Sequence, residues 1–176
     1  ILYRLLKNIK SKDNRETILY FLDKWFDSFA PNKDLLRMAI IHNDGNDHNI
    51  LVDNLGNTIG IIDFGDLTYS YQIFEPAVCM AYCSLDVENY LEVFSKFLRG
   101  YQFSFPLRDA ELKCIIYAVC LRLCLSVSIC AWRKNIFPEN NYITISESSA
   151  WLTLNTLKTF DLEELTNKLI SNVQSK

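Results

Sequence analysis

Apolar positions recur at helical spacing through the first 29 residues: Leu5, Leu6 and Ile9, then Ile18, Leu19, Leu22, Trp25, Phe26 and Phe29. The polar run Ser11 to Arg15 divides them and Pro31-Asn32 closes the second stretch, so two helices are predicted. Met38-Ala39-Ile40-Ile41 is an apolar approach to the most polar run in the chain, His42 to Asn49. After it, Ile50-Leu51-Val52 and Thr58 to Ile62 read as two strands, and Asp53-Asn54-Leu55-Gly56-Asn57 is the turn of a β-hairpin. From Glu75 the pattern is helical, with Pro76 suited to a first turn. Asp86 is expected to cap the next helix and Gly100 to end it. Asp109 is expected to cap a long apolar helix reaching about Lys134; Ser146 opens another, and Asp161-x-x-Glu164 caps the last. The predicted class is α+β, one mainly helical domain with a single hairpin carrying a polar loop.

Cys114 to Trp132 is 19 residues with 16 apolar ones, flanked by Lys113 and Arg133, which makes it a membrane-span candidate on hydropathy alone. Arg122 near its middle, with Ser126 and Ser128, favours a buried central helix instead. The net charge of −3 gives no basic excess for nucleic-acid binding. The two histidines rule out a three-histidine metal centre. The six cysteines form no Cys-x-x-Cys pair and lie in apolar runs, so they read as reduced core residues of a cytoplasmic protein. No secretory leader is recognisable, and the first residue is Ile, which is expected of a piece of a longer protein.

The chemistry concentrates in His42-x-Asp44-x-x-x-x-Asn49, with Ile61-Ile62-Asp63-Phe64-Gly65-Asp66 following the hairpin. A hairpin brings the residue before its first strand to the residue after its second, so Asn49 and Asp63 meet at its open end. Protein kinases carry the same order: an Asp, an Asn five residues on, then Asp-Phe-Gly. Phosphoryl transfer needs a carboxylate to accept the hydroxyl's proton and hard oxygen ligands for Mg²⁺. Asp44 is the candidate base, and Asn49 and Asp63 are the candidate metal ligands. Singly, each has an ordinary role as a turn or cap residue; jointly and in this order, they do not.

His42 is followed by Asn43 rather than Arg, so the chain departs from protein kinases and resembles the aminoglycoside phosphotransferase and choline kinase superfamily of small-molecule kinases. Within it, Ile41 to Leu51 and Gly60 to Asp66 are most similar to the hydroxylysine kinases. So are Tyr69, Tyr71, Phe74 and Glu75, the stretch around Arg122, and Phe137-Pro138-Glu139-Asn140. The resemblance spans roughly residues 38–155. It implies a protein kinase-like C-terminal lobe over residues 1–176, with the N-terminal lobe absent from the chain. The implied reaction moves the γ-phosphate of GTP or ATP, with Mg²⁺, to the hydroxyl of 5-hydroxy-L-lysine. By the same resemblance, His42 and Glu75 support the catalytic loop.

A small zwitterionic acceptor with an extra amine leaves several assignments open. Arg122 either clamps its carboxylate or is buried against a local acid. Asp47 and Asp66 either face its ammonium groups or are solvated. Tyr69, Tyr71, Trp132 and Trp151 either line a pocket or pack in the core. Kinases of the same fold acting on an aminoglycoside, homoserine or choline remain alternatives, as does a truncated, non-catalytic module; neither a nucleic-acid nor a membrane partner is expected. The superfamily usually has Gly at position 43 and a bulkier residue at 45, where this chain has Asn43 and Gly45.

Overall fold

The computed structural model describes residues 1–140 and 145–175. Helix α1 (Leu2–Leu5) runs into a 3-10 turn, and α2 (Lys12–Phe29) follows. Four short strands come next: β1 (Met38–Ile41), β2 (Ile50–Val52), β3 (Thr58–Ile61) and β4 (Thr68–Tyr71). Among the described residues, the elements that follow are helices: α3 (Phe74–Cys83), α4 (Tyr90–Ser104), α5 (Asp109–Ile136), α6 (Glu147–Leu157) and α7 (Leu162–Gln174). The α+β class and the predominance of helix agree with the sequence reading.

Helix α5 is the axis of the body, packed against α2, α3, α6 and α7. Ile115, Ile116, Val119, Leu123 and Val127 along it are almost fully buried. It is apolar on every side because helices cover it from several sides. Its length and composition alone would suffice to cross a membrane.

Several boundaries differ from those expected. The two helices expected before Pro31 are present, but the break between them lies before Ser11; Ser11 caps α2, its Oγ accepting from Asn14 N at 3.3 Å, and Lys12 to Arg15 form the first turn. Asp86 does not cap α4; it has φ +57°, and Asn89 is the cap, its Oδ1 accepting from Glu92 N at 3.2 Å. Gly100 does not end that helix, since one exposed glycine costs only about 1 kcal/mol and the helix continues to Ser104. Asp109 is the first residue of α5 rather than its cap, and the Glu111 carboxylate accepts from Arg108 N at 2.7 Å. Ser146 precedes α6 without a side-chain capping bond. Asp161 does cap α7, accepting from Glu163 N and Glu164 N at 2.9 and 3.0 Å.

The strands form two nested antiparallel pairs. The β2–β3 hairpin pairs Ile50 with Ile61 and Leu51 with Gly60. Its turn is built by Asp53, whose carboxylate accepts from Leu55 N and Asn57 N, and by Gly56 at φ +82°. Outside it, the approach to His42 is itself a strand: β1 pairs with β4, Ile41 opposite Thr68 and Met38 opposite Tyr71. The polar loop leaving β1 and the loop entering β4 therefore start from neighbouring strand ends.

Arg37 and Glu111 anchor this assembly to the body. Arg37 Nε and Nη2 donate to the two oxygens of Glu111 at 2.9 and 2.6 Å, and Arg37 O accepts from Gln72 N at 2.8 Å. One ion pair, its Glu111 carboxylate buried and its Arg37 half-buried, thus fixes the root of the β1–β4 pair to the first turn of α5.

Candidate active site

The polar loop starts where β1 ends. His42 is buried, and its Nε2 lies 2.9 Å from the carbonyl oxygen of Ile62, the residue before Asp63. Its ring meets Phe64 edge-on at 5.1 Å. One side chain thereby ties the two chemistry-bearing loops together.

Helix α3 supports the loop from the other side. Glu75 Oε2 accepts from His42 N at 2.5 Å and from Asn43 N at 3.4 Å. Asn43 has φ +66°, the left-handed region that glycine favours and asparagine tolerates. Gly45 is buried against Cys79, leaving no room for a β-carbon. Burial, and then the charge of Glu75, pushes the Cys79 thiol up to about 12, so it stays protonated. Glu75, Cys79 and Tyr82 share one face of α3 by their i, i+4, i+7 spacing.

The carboxylate of Asp44 is held at both oxygens. Oδ2 accepts from Asn46 Nδ2 and Asn49 Nδ2, each at 3.0 Å. Oδ1 accepts from Arg122 Nη2 at 3.1 Å. Arg122 projects from the middle of α5, and its Nη2 also lies 3.1 Å from the Tyr82 hydroxyl, with the guanidinium 5.5 Å from that ring's centre. Of the two readings of Arg122, the structure places it against a local acid, and that acid is Asp44.

Asn49 is buried and also donates to Asp44 O at 2.9 Å. With its amide nitrogen committed there, its Oδ1 is left as an acceptor. Its backbone oxygen accepts from Ile62 N at 2.9 Å, extending the hairpin ladder by one step, so Asp63 comes next. Asp63 is left-handed at φ +62°, exposed, and its carboxylate accepts only weakly from Gly65 N at 3.4 Å. An amide oxygen and a carboxylate at one hairpin mouth are hard donors of the kind Mg²⁺ takes, and that ion completes its shell with phosphate and water rather than a protein cage. Among the described residues, no group of three or more His, Cys, Asp or Glu forms such a cage.

The remaining predicted residues are less engaged. Asp47 and Asp66 are exposed on short 3-10 turns. Tyr71 stacks edge-on with Phe29 at 5.3 Å, and Trp151 packs against the core, whereas Tyr69 and Trp132 are exposed. The cysteines are not all core residues. Cys114, Cys120, Cys124 and Cys130 are buried, Cys79 is half-buried against the loop, and Cys83 is exposed at the end of α3. Burial and the nearby Asp47 raise the Cys83 thiol. Two residues absent from the sequence reading join the site, Asn46 and Tyr82. The helical spacing of Tyr82 from Glu75 was the available signal.

Comparison with known proteins bears on the same residues. Residues 3–109 match the model of the phosphotransferase enzyme family, a stretch that contains the polar loop, the hairpin, Asp63 and Glu75. The hydroxylysine kinase of Mus musculus is 29% identical over 171 residues, covering 92% of this chain and 45% of that protein. That of Bos taurus is 29% identical over 160 residues, covering 86% of this chain and 43% of that protein. That of Xenopus laevis is 32% identical over 137 residues, covering 72% and 37%. The chain thus spans less than half the length of these curated relatives. The paired loops around Asp44 and Asp63 and the family match coincide, and the chain belongs to the phosphotransferase enzyme family.

Proposed function

We propose that this chain is the C-terminal, protein kinase-like lobe of a small-molecule kinase whose acceptor is 5-hydroxy-L-lysine and whose donor is GTP or ATP. The observation that carries the reading is the Asp44 carboxylate, hydrogen-bonded to Asn49 at the same hairpin mouth that presents Asp63. Asp44 accepts the proton of the acceptor hydroxyl as its oxygen bonds to the γ-phosphorus; the bond from that phosphorus to the bridging oxygen breaks, leaving the nucleoside diphosphate. Asn49 Oδ1 and the Asp63 carboxylate would hold Mg²⁺, which when bound neutralises charge on the donor's phosphates.

His42 and Glu75 keep the loop in register with the Asp63 loop and with α3. Asp47 and Asp66 are exposed acids suited to the ammonium groups of a cationic acceptor. The strands leave Ile40, Leu51, Ile59 and Tyr69 open, an apolar surface that fits a lobe normally covered by nucleotide and further chain. The names of the relatives supply the acceptor in this proposal.

The test is phosphoryl transfer by the full-length protein, from GTP and from ATP, to 5-hydroxy-L-lysine, with homoserine, choline and an aminoglycoside alongside. Phosphorylated hydroxylysine is expected, and Asp44→Asn should lower turnover by at least ~10²-fold without unfolding the protein. Transfer to none of these acceptors, or full turnover by Asp44→Asn, would overturn the reading.

A further inference from the structure

We infer that Arg122, backed by Tyr82, is a positioning residue for Asp44 and not a grip on the acceptor's carboxylate. The inference rests on the reading of Asp44 as the base. Arg122 is the only charged residue between Lys113 and Arg133, in the central helix of the body. A charge placed there is costly unless it is paired. Its partner is Asp44 Oδ1 at 3.1 Å, with only 17% and 24% of the two side chains exposed.

The geometry fixes the carboxylate and occupies the guanidinium. Asn46 and Asn49 hold one oxygen of Asp44 and Arg122 holds the other, so turning the carboxylate breaks three hydrogen bonds. A base that must meet a hydroxyl in line with the transferring phosphorus benefits from such a fixed angle. A carboxylate clamp instead needs two parallel N–H groups on one guanidinium edge. Arg122 Nη2 is shared between Asp44 and the Tyr82 hydroxyl, and Nε is buried without a hydrogen-bond partner among the described residues. The Nε–Nη2 edge is therefore closed to a ligand, and the other edge would have to take Nη2 from Asp44. The Tyr82 ring, its centre 5.5 Å from the guanidinium, and its hydroxyl back the arginine from α3.

The experiment compares wild type, Arg122→Met, Arg122→Lys, Tyr82→Phe and Asp44→Asn in the full-length protein. Two acceptors are used, 5-hydroxy-L-lysine and its decarboxylated analogue. Arg122→Met is expected to lower kcat by about 10- to 100-fold, with acceptor KM within about twofold of wild type. The ratio of kcat/KM for the two acceptors should not change. That ratio is independent of how much of the variant is folded. Arg122→Lys keeps the charge but not the fork, so its kcat should lie between those of wild type and Arg122→Met. Tyr82→Phe should lower kcat less, again with an unchanged ratio, and it carries the same test if Arg122→Met does not fold.

A raised KM with unchanged kcat, or loss of the preference for the carboxylated acceptor in Arg122→Met or Tyr82→Phe, overturns the inference and makes Arg122 a clamp. Retained turnover in Asp44→Asn removes the base and this inference with it. An inactive Asp44→Asn beside a fully active Arg122→Met removes the inference alone.

Discussion

Gly45 of the polar loop lies against Cys79 of α3 so closely that a β-carbon on the glycine would overlap the cysteine sulfur. The residue directly after Asp44 is therefore small because of a helix 34 positions away in sequence, although Gly45 has no positive φ to demand glycine. Gly45→Ala should displace the loop, cost about 1–3 kcal/mol as an overpacked site does, and lower turnover. Adding Cys79→Ala should restore most of both losses, because the pair would again fit. Denaturant midpoints and turnover of the two single variants and the double variant check this; additive losses would show that the two residues do not share the space.

Asn43 carries the other adjustment in this loop. Its φ of +66° is one that glycine adopts freely and a β-branched residue resists. Its N–H still points at Glu75, and a substitution there keeps that bond only if the backbone keeps its shape. Asn43→Gly should leave turnover within about twofold, whereas Asn43→Val should cost about 1–3 kcal/mol of stability and most of the activity. Equal stabilities of the two variants would mean that the left-handed conformation is not maintained.

Asp63 is the exposed member of the proposed metal pair, and Asn49 the buried one. Removing the charge at Asp63 removes the only carboxylate of that pair. Asp63→Asn should raise the Mg²⁺ concentration for half-maximal turnover about tenfold or more, while thermal stability without nucleotide stays near wild type because the side chain has only a weak bond to Gly65 N. An unaltered magnesium titration would take Asp63 out of the metal site.

What the sequence revealed was local. The β2–β3 hairpin shows itself in two short apolar runs around a turn of Asp, Asn and Gly, and it alone brings Asn49 to Asp63. The β1–β4 pair is not visible in that way. Met38–Ile41 and Thr68–Tyr71 are four-residue strands separated by the whole loop and hairpin, and apolar Met38, Ile40 and Tyr69 sit at exposed positions, so residue type does not mark their inward faces. The partners of Asp44 divide likewise. Asn49 follows it by five residues within one loop, whereas Arg122 arrives from 78 residues away, placed by the packing of α5 on α3. Asp86 and Asn89 are both capping residue types, and Asn89 takes the role since Tyr90 turns inward to the core. Cys83 lies exposed within an apolar run, because such a run does not say which face of a helix is covered.

The Arg37–Glu111 pair makes the site sensitive to acid from a distance. Glu111 is fully buried. Burial by itself pushes its carboxyl up, but hydrogen bonds from the Arg37 side chain, Arg108 N and Arg37 N, with the charge of Arg37, outweigh it and leave the group below its ordinary value. A carboxyl depressed by folding contributes stability that is present above its unfolded pKa, about 4.3. That contribution is lost as pH falls through the lower folded value. Glu111→Gln removes it, so the stability gap between wild type and Glu111→Gln should be constant above about pH 5 and shrink below about pH 4. Arg37→Met leaves the buried carboxylate without its cation and should cost about 3–5 kcal/mol near neutral pH. Because Arg37 also holds the root of the β1–β4 pair, the same change should loosen the loop that carries Asp44. Hydrogen exchange at Ile41 and His42 would register that loosening. Parallel loss of stability in wild type and Glu111→Gln between about pH 5 and pH 3, or unchanged exchange in Arg37→Met, would show that the pair does not anchor the site.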